Sequence, residues 1–153
     1  GTPNKGIVKS AVGIGSLLTS GLGDTIRVSL TGNPVQEVET AWNILEALEL
    51  RRKGPKIISC PTCGRTNINL AALAEKVEKR LKNVKIPITV AVMGCEVNGP
   101  GEAKEADIGI AGGKNKGIIF KKGKKVKTVD EAQLLDVFMD EIEKLRSDYY
   151  ENV

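Results

Sequence analysis

The feature that most constrains this chain is a nearly continuous apolar run, Pro87 to Met93, that ends at Gly94 and sets Cys95 directly after it. Rich in Val and Ile, it is expected to form a buried strand that delivers Cys95 to a loop. In that loop Gly99, Pro100 and Gly101 are turn formers, glycine through its permissive angles and proline through its fixed one. The turn they predict would fold Glu102 back toward Cys95. Thirty-five residues upstream of Cys95 lies CPTCG, where Cys60 and Cys63 follow another short apolar strand, Lys56 to Ser59. Three thiols and one carboxylate are thus expected at strand ends.

Bulk composition narrows the fold class. Aromatic residues make up only 3% of the chain against 41% apolar residues overall, so its core must be built from Val, Ile, Leu and Ala. Strands covered on both faces have that composition, which favours α/β over an all-β sandwich. A length of 153 residues predicts one domain or one and a half. No apolar run approaches the roughly 20 residues of a bilayer span, and the amino end lacks a signal-peptide layout, so a soluble cytoplasmic protein with no membrane partner is expected. The formal charge of +4 sits largely in Lys114 to Lys127, without any recognisable nucleic-acid motif beside it.

Taken in order, GTPNKG is a turn with no strand before it, so the chain is expected to continue something begun upstream. Gly6 to Ser20 has roughly helical spacing, interrupted at Gly13 and Gly15. Asp24 to Leu30 alternates as a strand, with Ile26, Val28 and Leu30 on one side and Arg27 and Ser29 on the other. Asn33 and Pro34 then open a helix predicted to reach about Leu50, with Val35, Val38, Trp42, Leu45 and Leu48 on its apolar face. Arg51 to Gly54 shifts to charge and glycine and is read as a linker, dividing the chain into residues 1–53 and 54–153. Beyond it the pattern predicts strand Lys56 to Ser59, helix Leu70 to Leu81, strand Pro87 to Met93, strand Asp107 to Ala111, and a hairpin of Gly117 to Lys121 with Lys125 to Thr128. Asp130 is expected to cap a last helix ending near Arg146, followed by a frayed tail, Ser147 to Val153. No internal repeat is visible.

All three cysteines lie in the two motifs and the chain has no histidine, which excludes Cys-His dyads and mixed Cys-His zinc sites. Small buried hydrophobes would be the bland account of the cysteines. A redox CxxC pair leaves Cys95 unexplained, and a structural zinc site wants four ligands. An iron–sulfur cluster suits CxxC plus a distant Cys better. With only three thiolates, one iron would take another ligand and keep a place for substrate; Glu102 is the candidate, a plain surface carboxylate being its alternative. Arg27 and Ser29 could donate to phosphate oxygens or simply line a solvated edge. Gly13-Ile-Gly15 lacks the strand and third glycine of a nucleotide fingerprint. The lysines from 114 to 127 read as a solvated hairpin or as a docking face for an acidic electron donor.

The segments ISCPTCGRT, VAVMGCEVNGPGEAKEADIGIAGG, KSAVGIGSLL and GDTIRVSLT closely resemble the 4-hydroxy-3-methylbut-2-enyl diphosphate synthase family, iron–sulfur reductases of non-mevalonate isoprenoid biosynthesis. The likeness runs from residue 1 to the last helix. It implies the end of a (β/α) barrel in residues 1–53, then an α+β cluster domain similar to the sulfite and nitrite reductase repeat, the whole α/β. By that resemblance Cys60, Cys63 and Cys95 would hold a [4Fe-4S] cluster with Glu102 as fourth ligand. Asn98 would approach substrate from the same loop, and Arg27 and Ser29 would contact its diphosphate. The implied reaction converts 2-C-methyl-D-erythritol 2,4-cyclodiphosphate to 4-hydroxy-3-methylbut-2-enyl diphosphate. Electrons would come from flavodoxin or ferredoxin, and the full-length enzyme would be a homodimer. The competing readings are a non-catalytic iron–sulfur electron-transfer module and a zinc-stabilised domain.

Overall fold

The computed structural model describes residues 1–66 and 68–151. They form two compact units, Gly1–Lys53 and Gly54–Val153. In the first, helix α1 (Pro3–Thr19) and helix α2 (Pro34–Ala47) flank an extended segment. Helix α1 runs unbroken through Gly13 and Gly15, where an interruption was expected. An interior glycine costs a helix about 1 kcal/mol but does not forbid it, and here Ile14 and Leu18 pack onto a core of Val28, Leu30 and Ile44. Gly6 permits the close approach: a Cβ there would lie 2.6 Å from Leu30 Cδ2.

Residues 24–30 keep the expected alternation, Val28 and Leu30 buried and Arg27 and Ser29 exposed. They are nevertheless extended chain rather than a strand: Gly1 lies beside their end, donating to the Ser29 carbonyl at 3.5 Å and accepting from the Thr31 N–H at 2.7 Å, which is too short a pairing to make a ladder. The Leu30 N–H donates instead to Glu37 Oε1 at 2.7 Å. Helix α2 is capped as predicted, Asn33 accepting from the Val35 N–H at 2.9 Å. It stops at Ala47, short of Leu50, because Glu49 adopts a φ of 57° and the Leu50 N–H turns back to the Leu45 carbonyl at 2.9 Å. Its buried stripe also departs from the expected one. Thr40 and Ile44 are covered, whereas Val35 and Val38 are 57% and 59% exposed. A helix with apolar residues on two faces does not itself select which one is buried; the neighbouring α1 and extended segment do.

The second unit is a five-stranded sheet in the order β1 (Lys56–Ser59), β2 (Thr89–Met93), β3 (Ile108–Gly112), β4 (Lys116–Lys121), β5 (Lys124–Asp130). The pairs β1–β2 and β2–β3 are parallel; β3–β4 and β4–β5 are antiparallel. Successive β2 side chains serve opposite faces, as pleating requires. Val90 and Val92 join Leu70, Val77, Ile110, Leu134, Phe138 and Ile142 beneath helices α3 (Leu70–Leu81) and α5 (Leu134–Glu151). Ala91 and Met93 join Ala103, Ala106, Ala111, Ile118 and Phe120 on the other face. Strand β2 is therefore buried on both sides, as its apolar run predicted.

Three local expectations are corrected. The turn expected from Gly99 to Gly101 is a single helical turn, α4 (Gly99–Glu102). Asp130 stands with extended backbone before a 3-10 turn, Glu131–Gln133, and makes no side-chain capping bond. Helix α5 continues to Glu151 rather than fraying at Ser147, whose hydroxyl donates to the Glu143 carbonyl at 3.2 Å. The end of the segment expected to fray, residues 152 and 153, lies outside the described residues. Among the described residues no helix is long and apolar enough to cross a membrane.

Candidate functional site

Parallel pairing of β1 with β2 sets Ser59 against Val92, so the carboxyl ends of both strands open on one edge. The first residue beyond β1 is Cys60. Its N–H donates to the Val92 carbonyl at 3.3 Å, and its sulfur accepts from the Gly94 N–H at 3.2 Å. Cys95, the next residue after Gly94, is buried, while Cys60 is half-buried. Two cysteines far apart in sequence are thus neighbours through a strand ladder.

Cys63 lies in the turn after Cys60 and is exposed. Its carbonyl accepts from the Thr66 N–H at 3.0 Å, and its own N–H donates to Thr66 Oγ1 at 3.3 Å. The thiol is held below the ordinary cysteine range, chiefly by the Arg65 backbone N–H, aided by the Arg65 guanidinium and the Thr66 hydroxyl. Burial opposes this, as does the carboxylate of Glu102.

The Cys95 carbonyl accepts from the Gly99 N–H at 3.1 Å, and the Asn98 carbonyl from the Glu102 N–H at 2.9 Å, which winds α4 directly out of the cysteine loop. Gly99 has a packing reason, since a Cβ there would stand 2.7 Å from Met93 Cβ and 3.1 Å from Ala111 Cβ. Asn98 is half-buried and Glu102 is exposed. Among the described residues no three His, Cys, Asp or Glu side chains gather tightly enough to hold a single metal ion. Cluster binding asks for something different, because each thiolate takes its own iron. In kind the donors suit such a group: three thiols, the Gly94 N–H directed at the Cys60 sulfur, and a carboxylate on the helical turn that follows Cys95. Arg27 and Ser29 belong to the first unit and are exposed there.

Two residues of consequence escaped the sequence reading. Thr66 is one, a small polar residue whose only signal was its place just after CPTCGR. The other is Glu141, 4% exposed on α5, where Lys121, Lys127 and Lys144 reach it at 2.9, 2.8 and 2.8 Å. These partners hold its carboxyl far below the usual carboxylate range, Lys127 most of all. A signal was available, since Glu141 sits on the stripe of Leu134, Phe138 and Ile142. Two of the hairpin lysines therefore have an internal partner.

Residues 56–144 match the GcpE protein C-terminal domain, and residues 1–42 match the GcpE TIM-barrel domain. The chain belongs to the GcpE family. It is 60% identical over 146 residues to a protein of Lawsonia intracellularis named 4-hydroxy-3-methylbut-2-en-1-yl diphosphate synthase (flavodoxin). Proteins of the same name from Caldanaerobacter subterraneus and Geobacter sulfurreducens are 61% and 57% identical, each over 145 residues. In all three cases the match takes in 95% of this chain and 41% of the relative. Within the GcpE family, then, the five-stranded unit corresponds to the carboxyl-terminal domain, and α1, the extended segment and most of α2 correspond to barrel sequence.

Proposed function

We propose that this chain is the carboxyl-terminal portion of an iron–sulfur oxidoreductase of isoprenoid biosynthesis, a 4-hydroxy-3-methylbut-2-enyl diphosphate synthase. The observation that carries this reading is the meeting of Cys60 and Cys95 at one edge of the sheet, with the Cys63 turn after the first and Glu102 on the helical turn that leaves the second. Cys60, Cys63 and Cys95 would hold a [4Fe-4S] cluster, with Glu102 as the weaker oxygen ligand. The five-stranded unit is the cluster domain, of sulfite and nitrite reductase type, and residues 1–53 are barrel plus linker.

The substrate is 2-C-methyl-D-erythritol 2,4-cyclodiphosphate. Its ring opens at a carbon–oxygen bond, two electrons arrive from flavodoxin or ferredoxin, and the hydroxyl departs with a proton as water. When bound, the cluster supplies those electrons and a Lewis-acidic iron. This chain's residues supply binding and placement. The Arg27 guanidinium and Ser29 hydroxyl donate to diphosphate oxygens, a charge-assisted arrangement suited to phosphate. The Asn98 amide orients substrate from the cysteine loop, and Glu102 would hold the remaining iron less firmly than a thiolate, a hard oxygen donor suited to a position that substrate oxygen could take. Most of the substrate site lies in the barrel, so residues 1–153 alone are inactive. The whole enzyme is a cytoplasmic homodimer that binds neither nucleic acid nor membrane.

Iron, zinc and acid-labile sulfide, measured on anaerobically reconstituted protein together with visible absorption, test the reading. About four irons and four sulfides per chain are expected. Zinc without sulfide would overturn it in favour of a structural site.

A further inference from the structure

Thr66 has no part in the reading above, yet it touches both cysteine loops. Its hydroxyl oxygen accepts from the Cys63 N–H at 3.3 Å, and its own N–H donates to the Cys63 carbonyl at 3.0 Å, so this side chain closes the turn that presents Cys63. The same side chain covers Gly94. A Cβ at Gly94 would stand 2.7 Å from Thr66 Oγ1, 3.0 Å from Thr66 Cγ2 and 3.3 Å from Leu70 Cδ2. Gly94 in turn donates its N–H to the Cys60 sulfur and precedes Cys95. Thr66 is thus a second point, beside the Gly94–Cys60 bond, where the Cys60–Cys63 turn is fastened to the strand end carrying Cys95.

We infer that Thr66 is a positioning residue for the iron–sulfur centre: it sets Cys63 relative to Cys95 by accepting the Cys63 N–H and seating against Gly94. The inference rests on the iron–sulfur reading above. Physically, the branched side chain does two jobs at once. Its oxygen holds the backbone of one ligand turn, and its methyl group fills the space left by the missing side chain of the other. The hydroxyl proton is also free to turn toward the sulfur of Cys63, whose N–H the same oxygen accepts. Hydrogen bonding around ligand sulfurs tunes a cluster's potential, so loss of that oxygen should register in the centre itself and not only in stability.

The test uses residues 1–153 with the cluster assembled anaerobically, and compares the parent, Thr66→Val, Thr66→Ser, Gly94→Ala and the double variant Gly94→Ala with Thr66→Ala. Readouts are iron per chain, the reduction potential, the electron paramagnetic resonance spectrum of the reduced cluster and the urea midpoint. Val keeps the shape and removes the oxygen, so a more negative potential and an altered spectrum are expected, with Ser restoring both. Gly94→Ala should lose iron several-fold, and trimming Thr66 in the double variant should recover it. A Val variant matching the parent in potential and spectrum overturns the inference. So does a Gly94→Ala variant that keeps its iron, and that comparison decides the matter if Val fails to fold. Absence of iron and sulfide from the parent itself would instead sink the iron–sulfur reading, which separates the two failures.

Discussion

The Gly94 N–H donates to the sulfur of Cys60 at 3.2 Å, bonding the strand end that carries Cys95 directly to the first cysteine of CPTC. That bond couples the two loops through backbone and ligand sulfur, with no further side chain between them.

Replacing Cys60 with Ala removes both a proposed ligand and the acceptor of that buried N–H. An unmet buried donor costs about 1–3 kcal/mol. Iron per chain after reconstitution should fall severalfold, and the urea midpoint should drop by a comparable free energy even in metal-free protein. Unchanged metal-free stability would show that the Gly94 N–H bond to Cys60 contributes nothing to folding.

Glu102 tests the proposal of an open iron. In the full-length enzyme Glu102→Cys should retain the cluster by iron and sulfide analysis while losing turnover by about 100-fold or more, since a thiolate does not yield readily to substrate oxygen. Full turnover with a bound cluster would rule out substrate binding at that position.

Glu141 should make stability depend on acid. Its folded carboxyl titrates below its unfolded one, so its contribution is fully present above an unfolded pKa of about 4.3 and is lost as pH falls below that. At neutral pH Glu141→Gln is expected to cost about 1–3 kcal/mol, a figure reduced because the lysine partners are 33%, 42% and 62% exposed. Urea midpoints at pH 7 and pH 3 check this. The gap between parent and variant should narrow at the lower pH.

Gly109 is required by its cross-strand partner. The ring of Phe120 lies over it, and an added Cβ would come within 2.3 Å of Phe120 Cζ. Overpacking of this kind costs about 1–3 kcal/mol. Gly109→Ala should lower the thermal midpoint, and pairing it with Phe120→Leu should cost less than the sum of the two single changes.

Much of the second unit was legible because its periodicities are unambiguous. Leu70–Leu81 forms a helix with the predicted ends, and Pro87 to Met93 contains a strand buried on both faces. The hairpin also falls where Lys122 and Gly123 were read, and both take positive φ there. Errors collected where a neighbour decides the outcome. Residues 24–30 have strand alternation without a strand beside them, and α2 buries Thr40 and Ile44 in place of Val35 and Val38. The Gly99–Gly101 turn became helix because bonds to the Cys95 and Asn98 carbonyls wind it, which turn propensity alone does not encode.

By itself the sequence determined local chemistry: three thiols and a carboxylate at element ends, no imidazole, and apolar runs of the right period to bury. Those properties depend on residue type and spacing along a few turns of chain. Tertiary structure alone decided that Cys60 meets Gly94, that Thr66 seats between the two cysteine loops, and that Glu141 draws three lysines inward. Each joins elements whose separation in space is set by strand register and helix packing, and spacing in sequence carries no measure of either.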